Sequence, residues 1–420
     1  MKIVIATAVY YPMINGVAVF SHNLAVGLAQ RGHEVVVICP SQTKKYYNEI
    51  QDGVNVYYLR STTVKIYPDQ IHDVAPKKKA FGRDLPRVFY KHGLKVSAFP
   101  VRRVKKILNE FSPDVVHVQV SDPIGLSVVS YAKKHGVPVV TTEHNQPEVF
   151  TEPLHVPGVM KKPIDAILSA YFYNRQSKSD YVTMPTQQAI DNLILSRGKE
   201  FKVPFEAVSN GVDLSRFKAG KVSDAIYNKY GIPKDRPIVL YVGRVDPEKN
   251  VGTILDAFVK MLDNNKLDKV SNSLCLVVGD GVDRLRLEKE FAANVKSGDV
   301  KFLGRVTGDD LYELYKVGSL FATASEIETQ GIVLIEAAAT GLPLIAVKAG
   351  AVAEVCQDGI NGVLCKPGDV NGISEAMVEI LSDAELRKKY SENSIKIAHE
   401  HDFEKTLDKF ESVYRKVINK

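Results

Sequence analysis

No apolar run in this 420-residue chain approaches the length needed to span a bilayer, so a membrane-crossing protein is not expected. The start, Met1-Lys-Ile-Val-Ile-Ala-Thr-Ala, reads as a short strand running directly into a loop, without the long apolar core and cleavage site of a secretory signal. Cysteine is scarce. The four present (Cys39, Cys275, Cys356 and Cys365) show no metal-type pairing, and Cys39 and Cys275 lie in apolar runs that read as strands. Reduced thiols and a cytoplasmic compartment are the expectation. A hydride-transferring dehydrogenase would want Gly-x-Gly-x-x-Gly straight after the first strand; here Tyr10-Tyr11-Pro12 follows, and the first glycine is Gly16. There is no Gly-x-x-x-x-Gly-Lys-Ser/Thr phosphate loop, no internal repeat and no low-complexity tract.

What is present is an ordinary globular composition, 45% hydrophobic and 25% charged, in a chain too long for one core. Short β-rich runs alternate with helical patterns, the pattern of parallel βαβ units. In the first half, strands are expected near Lys2–Ala6, Glu34–Cys39, Val54–Leu59, Val115–Val118, Pro138–Thr142 and Tyr181–Met184. In the second they fall near Phe205–Val208, Ile238–Val242, Leu274–Val278, Val300–Phe302, Leu320–Ala322 and Pro343–Ala346. The reading is α/β, with two Rossmann-like domains over 1–198 and 199–402 and a boundary around Gly198-Lys199-Glu200.

The segment Ser325-Glu-Ile-Glu-Thr-Gln-Gly-Ile-Val-Leu-Ile-Glu-Ala-Ala-Ala-Thr-Gly341 is the richest in chemistry. Glu328 and Glu336 bracket Gly331, which permits an unusual turn at the start of an apolar helix. The amides of Gln330, Gly331 and Ile332 would then lie at a helix N-terminus, where an anion is favoured, and Glu336 could reach a polar group beyond it, such as a ribose diol. A buried helix with a glycine in its first turn fits the same residues. Upstream, the strand-like Pro237-Ile-Val-Leu-Tyr241 is released by Gly243 into a loop carrying Arg244 and Lys249, cations suited to a diphosphate leaving group.

These segments, with Tyr11-Pro-Met-Ile-Asn-Gly16-Val, Thr141-Thr-Glu-His144-Asn, Val208-Ser-Asn-Gly-Val-Asp213, Glu248-Lys249-Asn250 and Val278-Gly-Asp-Gly281, resemble the retaining nucleotide-sugar glycosyltransferases of family 4. Glu328 and Glu336 match that family's pair of glutamates eight positions apart. The resemblance implies the GT-B fold, two Rossmann-like domains with parallel sheets facing across a cleft, the first taking the acceptor and the second the nucleotide sugar. It also implies that the closing helix, about 403–420, packs back on the first domain. By the same resemblance His144, at a strand end, touches the donor sugar and acts with Arg244, Lys249 and Glu328 in catalysis. Gly16, Arg305, Val306, Gln330, Gly331, Ile332 and Glu336 bind the donor. No Asp-x-Asp appears, and with Arg244 and Lys249 at hand neither metal nor cofactor is expected. His117, inside a strand, is read as structural.

The charge is unevenly shared. Residues 1–200 carry 25 Lys and Arg against 16 Asp and Glu, about +9, while the remainder carries 30 against 33, about −3. Much of the excess lies at Lys77, Lys78, Lys79, Arg83, Arg87, Lys91, Arg102 and Arg103, interleaved with apolar residues such as Phe81, Phe89 and Phe99. Such a stretch can hold a helix at an anionic membrane, each charge contributing roughly 1 kcal/mol. A solvated helical face fits it as well. No recognition motif accompanies it, so nucleic acid is not expected as a partner. Glu328-Thr-Gln-Gly331 and Asn15-Gly16-Val17, where Asn15 tolerates a left-handed turn, resemble the bacterial diacylglycerol glucosyltransferases within the family. That resemblance implies transfer of a hexose, glucose from UDP-glucose, to a membrane lipid such as diacylglycerol, by a peripheral enzyme on the inner face of the membrane. A polysaccharide, lipopolysaccharide, phosphatidylinositol or soluble acceptor, and GDP-mannose as donor, are the alternatives.

Overall fold

The computed structural model describes residues 1–64 except 12 and 14, 79–80, 83–84, 94–119, 122–144, positions 164, 167, 170, 173, 174 and 176–197, and then 202–264 and 268–420. The boundary expected at Gly198-Lys199-Glu200 lies outside the described residues. The chain divides into two compact units, Met1–Ser209 with Thr406–Lys420, and Asn210–Lys405. Among the described residues no helix is long and apolar enough to cross a membrane.

The first unit is built on eight strands: β1 (Lys2–Ala6), β2 (Glu34–Pro40), β3 (Tyr47–Gln51), β4 (Val54–Leu59), β9 (Val115–Val118), β10 (Val139–Thr142), β11 (Tyr181–Met184) and β12 (Phe205–Ala207). Two short antiparallel pairs lie between them in the chain, β5 (Thr62–Val64) with β8 (Leu94–Val96), and β6 (Lys79–Ala80) with β7 (Arg83–Asp84). The sheet order is β12-β11-β10-β9-β1-β2-β4-β3, parallel except for β3 at one edge. A parallel strand covered on both faces is apolar throughout rather than alternating, which is why Ile3, Val4, Ile5 and Ala6 are all fully buried. β12 was expected to open the second half. It instead closes the first sheet, pairing Val182 with Phe205 and Met184 with Ala207.

Strand β1 has β2 on one side and β9 on the other. The direction of winding reverses there, and in open α/β sheets such a switch point leaves a crevice at the carboxyl ends of the strands. The loops emerging at that edge carry residues 7–11, 13 and 15, Gln119 and His144. Helix α1 (Gly16–Gln30) starts from the first of these loops. Asn15, which tolerates a left-handed turn, makes no use of that here: it is extended at φ −138°, and its side-chain oxygen accepts the Ala18 amide at 2.8 Å. A side-chain acceptor satisfies an amide that the first helical turn leaves unpaired, so Asn15 is chosen as a cap. The closing helix, Phe403–Ile418, contributes its residues from Thr406 onward to this unit. There Phe410 meets Phe20 with ring centres 5.9 Å apart, and Glu411 accepts from His33 at 2.8 Å.

The second unit carries β13 (Ile238–Val242), β14 (Leu274–Val278), β15 (Val300–Gly304), β16 (Leu320–Ala322), β17 (Leu344–Val347) and β18 (Gly362–Cys365). All are parallel, in the order β15-β14-β13-β16-β17-β18. Alternate residues of β13 feed opposite faces: Val239 and Tyr241 join a core with Ile254, Phe258 and Met261, while Ile238, Leu240 and Val242 join one with Tyr315, Phe321, Leu334 and Ile335. The switch point of this sheet lies between β13 and β16. The loops leaving those two strands hold Arg244 and Lys249, and Glu328 and Gly331.

Candidate active site

The loop after β13 leaves its strand through a constrained turn. Gly243 has φ 153°, and a Cβ there would stand 2.9 Å from the Tyr241 hydroxyl. That hydroxyl donates to the Arg244 carbonyl at 2.6 Å, with the ring fully within the core. Gly279, after β14, lies so close that a Cβ would come 1.7 Å from the Gly243 carbonyl oxygen. Glycine is required at 279 by the space as well as by φ 151°. The Val278-Gly-Asp-Gly281 segment therefore shapes the loop that carries Arg244.

Lys249 ends a short 3-10 turn, Pro247–Lys249, and its ammonium donates to Glu328 Oε1 at 2.6 Å and to Ser325 Oγ at 3.3 Å. Asn250, at φ 49°, donates its side-chain amide to the Ala324 carbonyl at 3.3 Å. The two loops at the switch point are thus tied together by side chains. Glu328 is fixed from behind as well: the Ala351 amide donates to its carbonyl at 3.2 Å, and Gly350, at φ 53°, would place a Cβ 2.6 Å from that oxygen. Arg244 is held within its own loop by Asp246 and by Glu248 at 2.6 Å. The cations assigned to a diphosphate are therefore each engaged by carboxylates, a pairing that the order of residues does not reveal.

Gly331 takes the left-handed conformation, φ 76° and ψ 55°, at the start of the helix Ile332–Ala339. The side-chain oxygen of Gln330 accepts the Asn210 amide at 3.1 Å, which locks the entry to that helix. Glu336 projects from the next turn, and its carboxylate accepts from the Tyr315 hydroxyl at 2.5 Å. Burial lifts its pKa to about 7, against the opposing effect of the Tyr315 hydrogen bond. Arg305 and Val306 follow β15 at the same strand edge, two strands from the switch point, with Arg305 exposed and Val306 packed on the core.

In the first unit, Gly16 opens α1 and His144 stands two residues beyond β10. Burial pushes the His144 ring down to about 3, so it is neutral at physiological pH. Its Nε2 lies 2.7 Å from the side-chain oxygen of Gln119, and its ring meets Phe20 at 5.2 Å. His117, read as structural, is fully buried and hydrogen-bonded to Tyr414 and Thr142. Gln119 and Tyr315 were missed in the sequence. A polar residue two positions beyond His117, where a strand ends at a switch point, is the signal that could have found Gln119.

Of the basic stretch, Lys77, Lys78, Arg87 and Lys91 lie outside the described residues, and Lys79 and Arg83 belong to β6 and β7. Arg102 and Arg103 are exposed on helix α2 (Val101–Phe111), which buries Val104, Ile107 and Leu108. The Arg103 guanidinium lies 4.0 Å over the Tyr46 ring. Both arginines border a cavity of about 460 Å³ shared with Arg60, Lys106 and Phe99.

Comparison with known proteins agrees with this construction. A family model described as Glycosyltransferase Family 4 matches residues 14–216, and one described as Glycosyl transferases group 1 matches residues 222–397. The chain is 27% identical over 406 residues to an alpha-monoglucosyldiacylglycerol synthase of Acholeplasma laidlawii, covering 94% of this chain and 92% of that one. It is 26% identical to a GDP-mannose-dependent alpha-mannosyltransferase of Mycobacterium tuberculosis, covering 88% and 85% of the two. Among solved structures, the Anabaena protein HepE in complex with UDP-glucose superposes with a TM-score of 0.67 at 17% identity, covering 99% of this chain and all of the other.

Proposed function

The chain is a retaining GT-B glycosyltransferase of family 4, and from that premise we propose that it carries glucose from UDP-glucose to the hydroxyl of a diacylglycerol at an anionic membrane surface. The observation that carries the donor half is the convergence, at one switch point, of the Lys249–Glu328 pair, the Gly331 helix start and Glu336 one turn further on. That sequence of groups follows the sequence sugar, diphosphate, ribose in a nucleotide sugar. Glu328 receives the sugar hydroxyls, and Lys249, Arg244 and the amides of Gln330, Gly331 and Ile332 receive the diphosphate. Glu336 takes the ribose, and the backbone at Arg305 and Val306 takes the base. To reach a phosphate oxygen, Lys249 gives up its longer bond to Ser325 and keeps Glu328.

Gly16 and His144 are assigned to the donor sugar, and the lipid hydroxyl is the acceptor. The bond between the anomeric carbon and the diphosphate breaks, and the ring gains oxocarbenium character. The acceptor hydroxyl attacks on the face the phosphate leaves, and a departing phosphate oxygen takes its proton. The α configuration is retained. The cations and the helix amides stabilise the charge that develops, so a divalent metal is not part of this proposal.

Three features support the lipid acceptor and a peripheral place on the inner face of the membrane. One relative, matched over 94% of this chain, is an alpha-monoglucosyldiacylglycerol synthase. Arg102 and Arg103 stand exposed beside Phe99, which is 96% exposed, and Val101, 64% exposed. Cations beside exposed apolar anchors suit an anionic lipid surface. The alpha-mannosyltransferase relative favours a second reading, with GDP-mannose as donor. Incubation with radiolabelled UDP-glucose or GDP-mannose and mixed membrane lipids decides between them: glucose label in the organic phase is the expected result. Label found only in water-soluble products would remove the lipid acceptor.

A further inference from the structure

The switch point of the first sheet contains a buried polar chain that the reaction described above leaves unused. Gln119 leaves the end of β9 and is fully buried, its side-chain oxygen 2.7 Å from His144 Nε2. Its amide nitrogen lies against the His117 ring, 3.1 and 3.4 Å from the two ring nitrogens. His117 is pinned at both ends, Nδ1 2.7 Å from the Tyr414 hydroxyl of the closing helix and Nε2 2.7 Å from the Thr142 hydroxyl. Thr142 in turn meets the Thr183 hydroxyl at 2.7 Å. Five side chains from three neighbouring strands and one helix thus converge on the placing of one imidazole.

The chemistry of the contact decides the tautomer. An amide oxygen only accepts, so Nε2 of His144 carries the hydrogen and Nδ1 carries the lone pair. Phe20 closes one side of the ring, which leaves little freedom to rotate away. A buried donor left without its acceptor is unfavourable enough to redistribute the tautomers or turn the ring.

We propose that Gln119 is a positioning residue for sugar transfer, holding His144 in one ring orientation and as its Nε2–H tautomer. The inference rests on the assignment of His144 to the donor sugar. It extends that assignment by naming the group that makes His144 a fixed acceptor rather than a rotating one. It also gives the closing helix a part in the site, because Tyr414 fixes the surface on which the Gln119 amide lies.

Two variants of the full chain, Gln119→Leu and Gln119→Glu, test this by long-range proton–nitrogen NMR on histidine-labelled protein and by steady-state kinetics with the nucleotide sugar. Wild type should show His144 as the neutral Nε2–H form. Gln119→Leu should mix or invert the tautomer and lower kcat about tenfold or more, with the donor KM changed less than about twofold, the mark of lost positioning rather than lost binding. Gln119→Glu retains an acceptor and should restore both the tautomer and most of kcat. An Nδ1–H form in the wild type overturns the proposal even if Gln119→Leu fails to fold. An unchanged kcat in Gln119→Leu with its tautomer lost overturns it too, while leaving the transferase activity intact. No transfer by the wild type with any nucleotide sugar would sink the functional reading and this inference together.

Discussion

Lys249 and Glu328, 79 residues apart in the chain, meet at 2.6 Å where the loops after β13 and β16 face each other. Both side chains are more than four-fifths buried. Breaking a largely desolvated pair by removing one partner leaves the other charge in a poor environment, so a change at either residue should be felt in the fold as well as in any role at the candidate site.

Lys249→Ala should therefore lower kcat by about 100-fold or more, the usual loss for one preorganised electrostatic group. Arg244→Ala should do the same. The two differ in stability: Lys249→Ala strands Glu328 and should lower Tm by a few degrees, whereas Arg244 is more exposed and its loss should matter less. Kinetics and thermal melts on both variants check this. Wild-type turnover in both would remove them from the leaving-group role.

Glu336 should make donor binding and stability depend on pH around neutrality. Its folded pKa of about 7 lies above the ordinary carboxyl value, so between pH 4.5 and 7 the folded state binds more protons than the unfolded one. Stability then falls as pH rises through that window and levels off above it. Glu336→Gln removes the effect, so its Tm should gain on the wild type between pH 5 and pH 8. Donor affinity of the wild type should weaken as pH drops through 7, while that of Glu336→Gln should be low and flat. Thermal melts and titration calorimetry across that range measure both.

Gly279 and Gly298 both have positive φ, and they should respond very differently to alanine. At Gly279 the added carbon would overlap the Gly243 carbonyl, while at Gly298 nothing lies within 4 Å. Gly298→Ala should cost about 1–2 kcal/mol from the left-handed backbone alone. Gly279→Ala must displace the loop that carries Arg244, and should lose donor binding as well as more stability. Denaturant melts and donor titration of the pair provide the check.

Arg102→Glu with Arg103→Glu should reduce binding to phosphatidylglycerol-containing vesicles by at least tenfold, at roughly 1 kcal/mol per charge removed. Phe99→Ser should weaken it further. Neither change should alter hydrolysis of the donor in the absence of lipid. Vesicle sedimentation beside a donor-hydrolysis assay separates the two effects. Equal binding to neutral and anionic vesicles would contradict the role given to α2.

The strands were largely legible in the sequence because parallel strands buried on both faces must be apolar. Ile3 to Ala6 and Ile238 to Val242 are such runs. β3 was not, since Tyr47–Gln51 is an exposed edge strand with no buried residue to mark it. β12 was found but assigned to the wrong half, because its partner, not its composition, decides its sheet. Of the candidate site, Arg244, Lys249, Glu328 and Glu336 were named from the sequence because glycines and strand ends flag them. Their engagement with Asp246, Glu248 and Tyr315 could not, since it depends on side-chain direction across loops and elements. Gln119 carries no motif at all; only the placing of β9 beside β1 brings it to the switch point.

A crystal structure of the protein with UDP-glucose tests the central claim most directly. The diphosphate should lie on the amides at Gly331 within reach of Lys249 and Arg244, with the ribose hydroxyls on Glu336. A nucleotide lodged elsewhere, with Lys249 still closed on Ser325 and Glu328 and the Gly331 amides unoccupied, would contradict it.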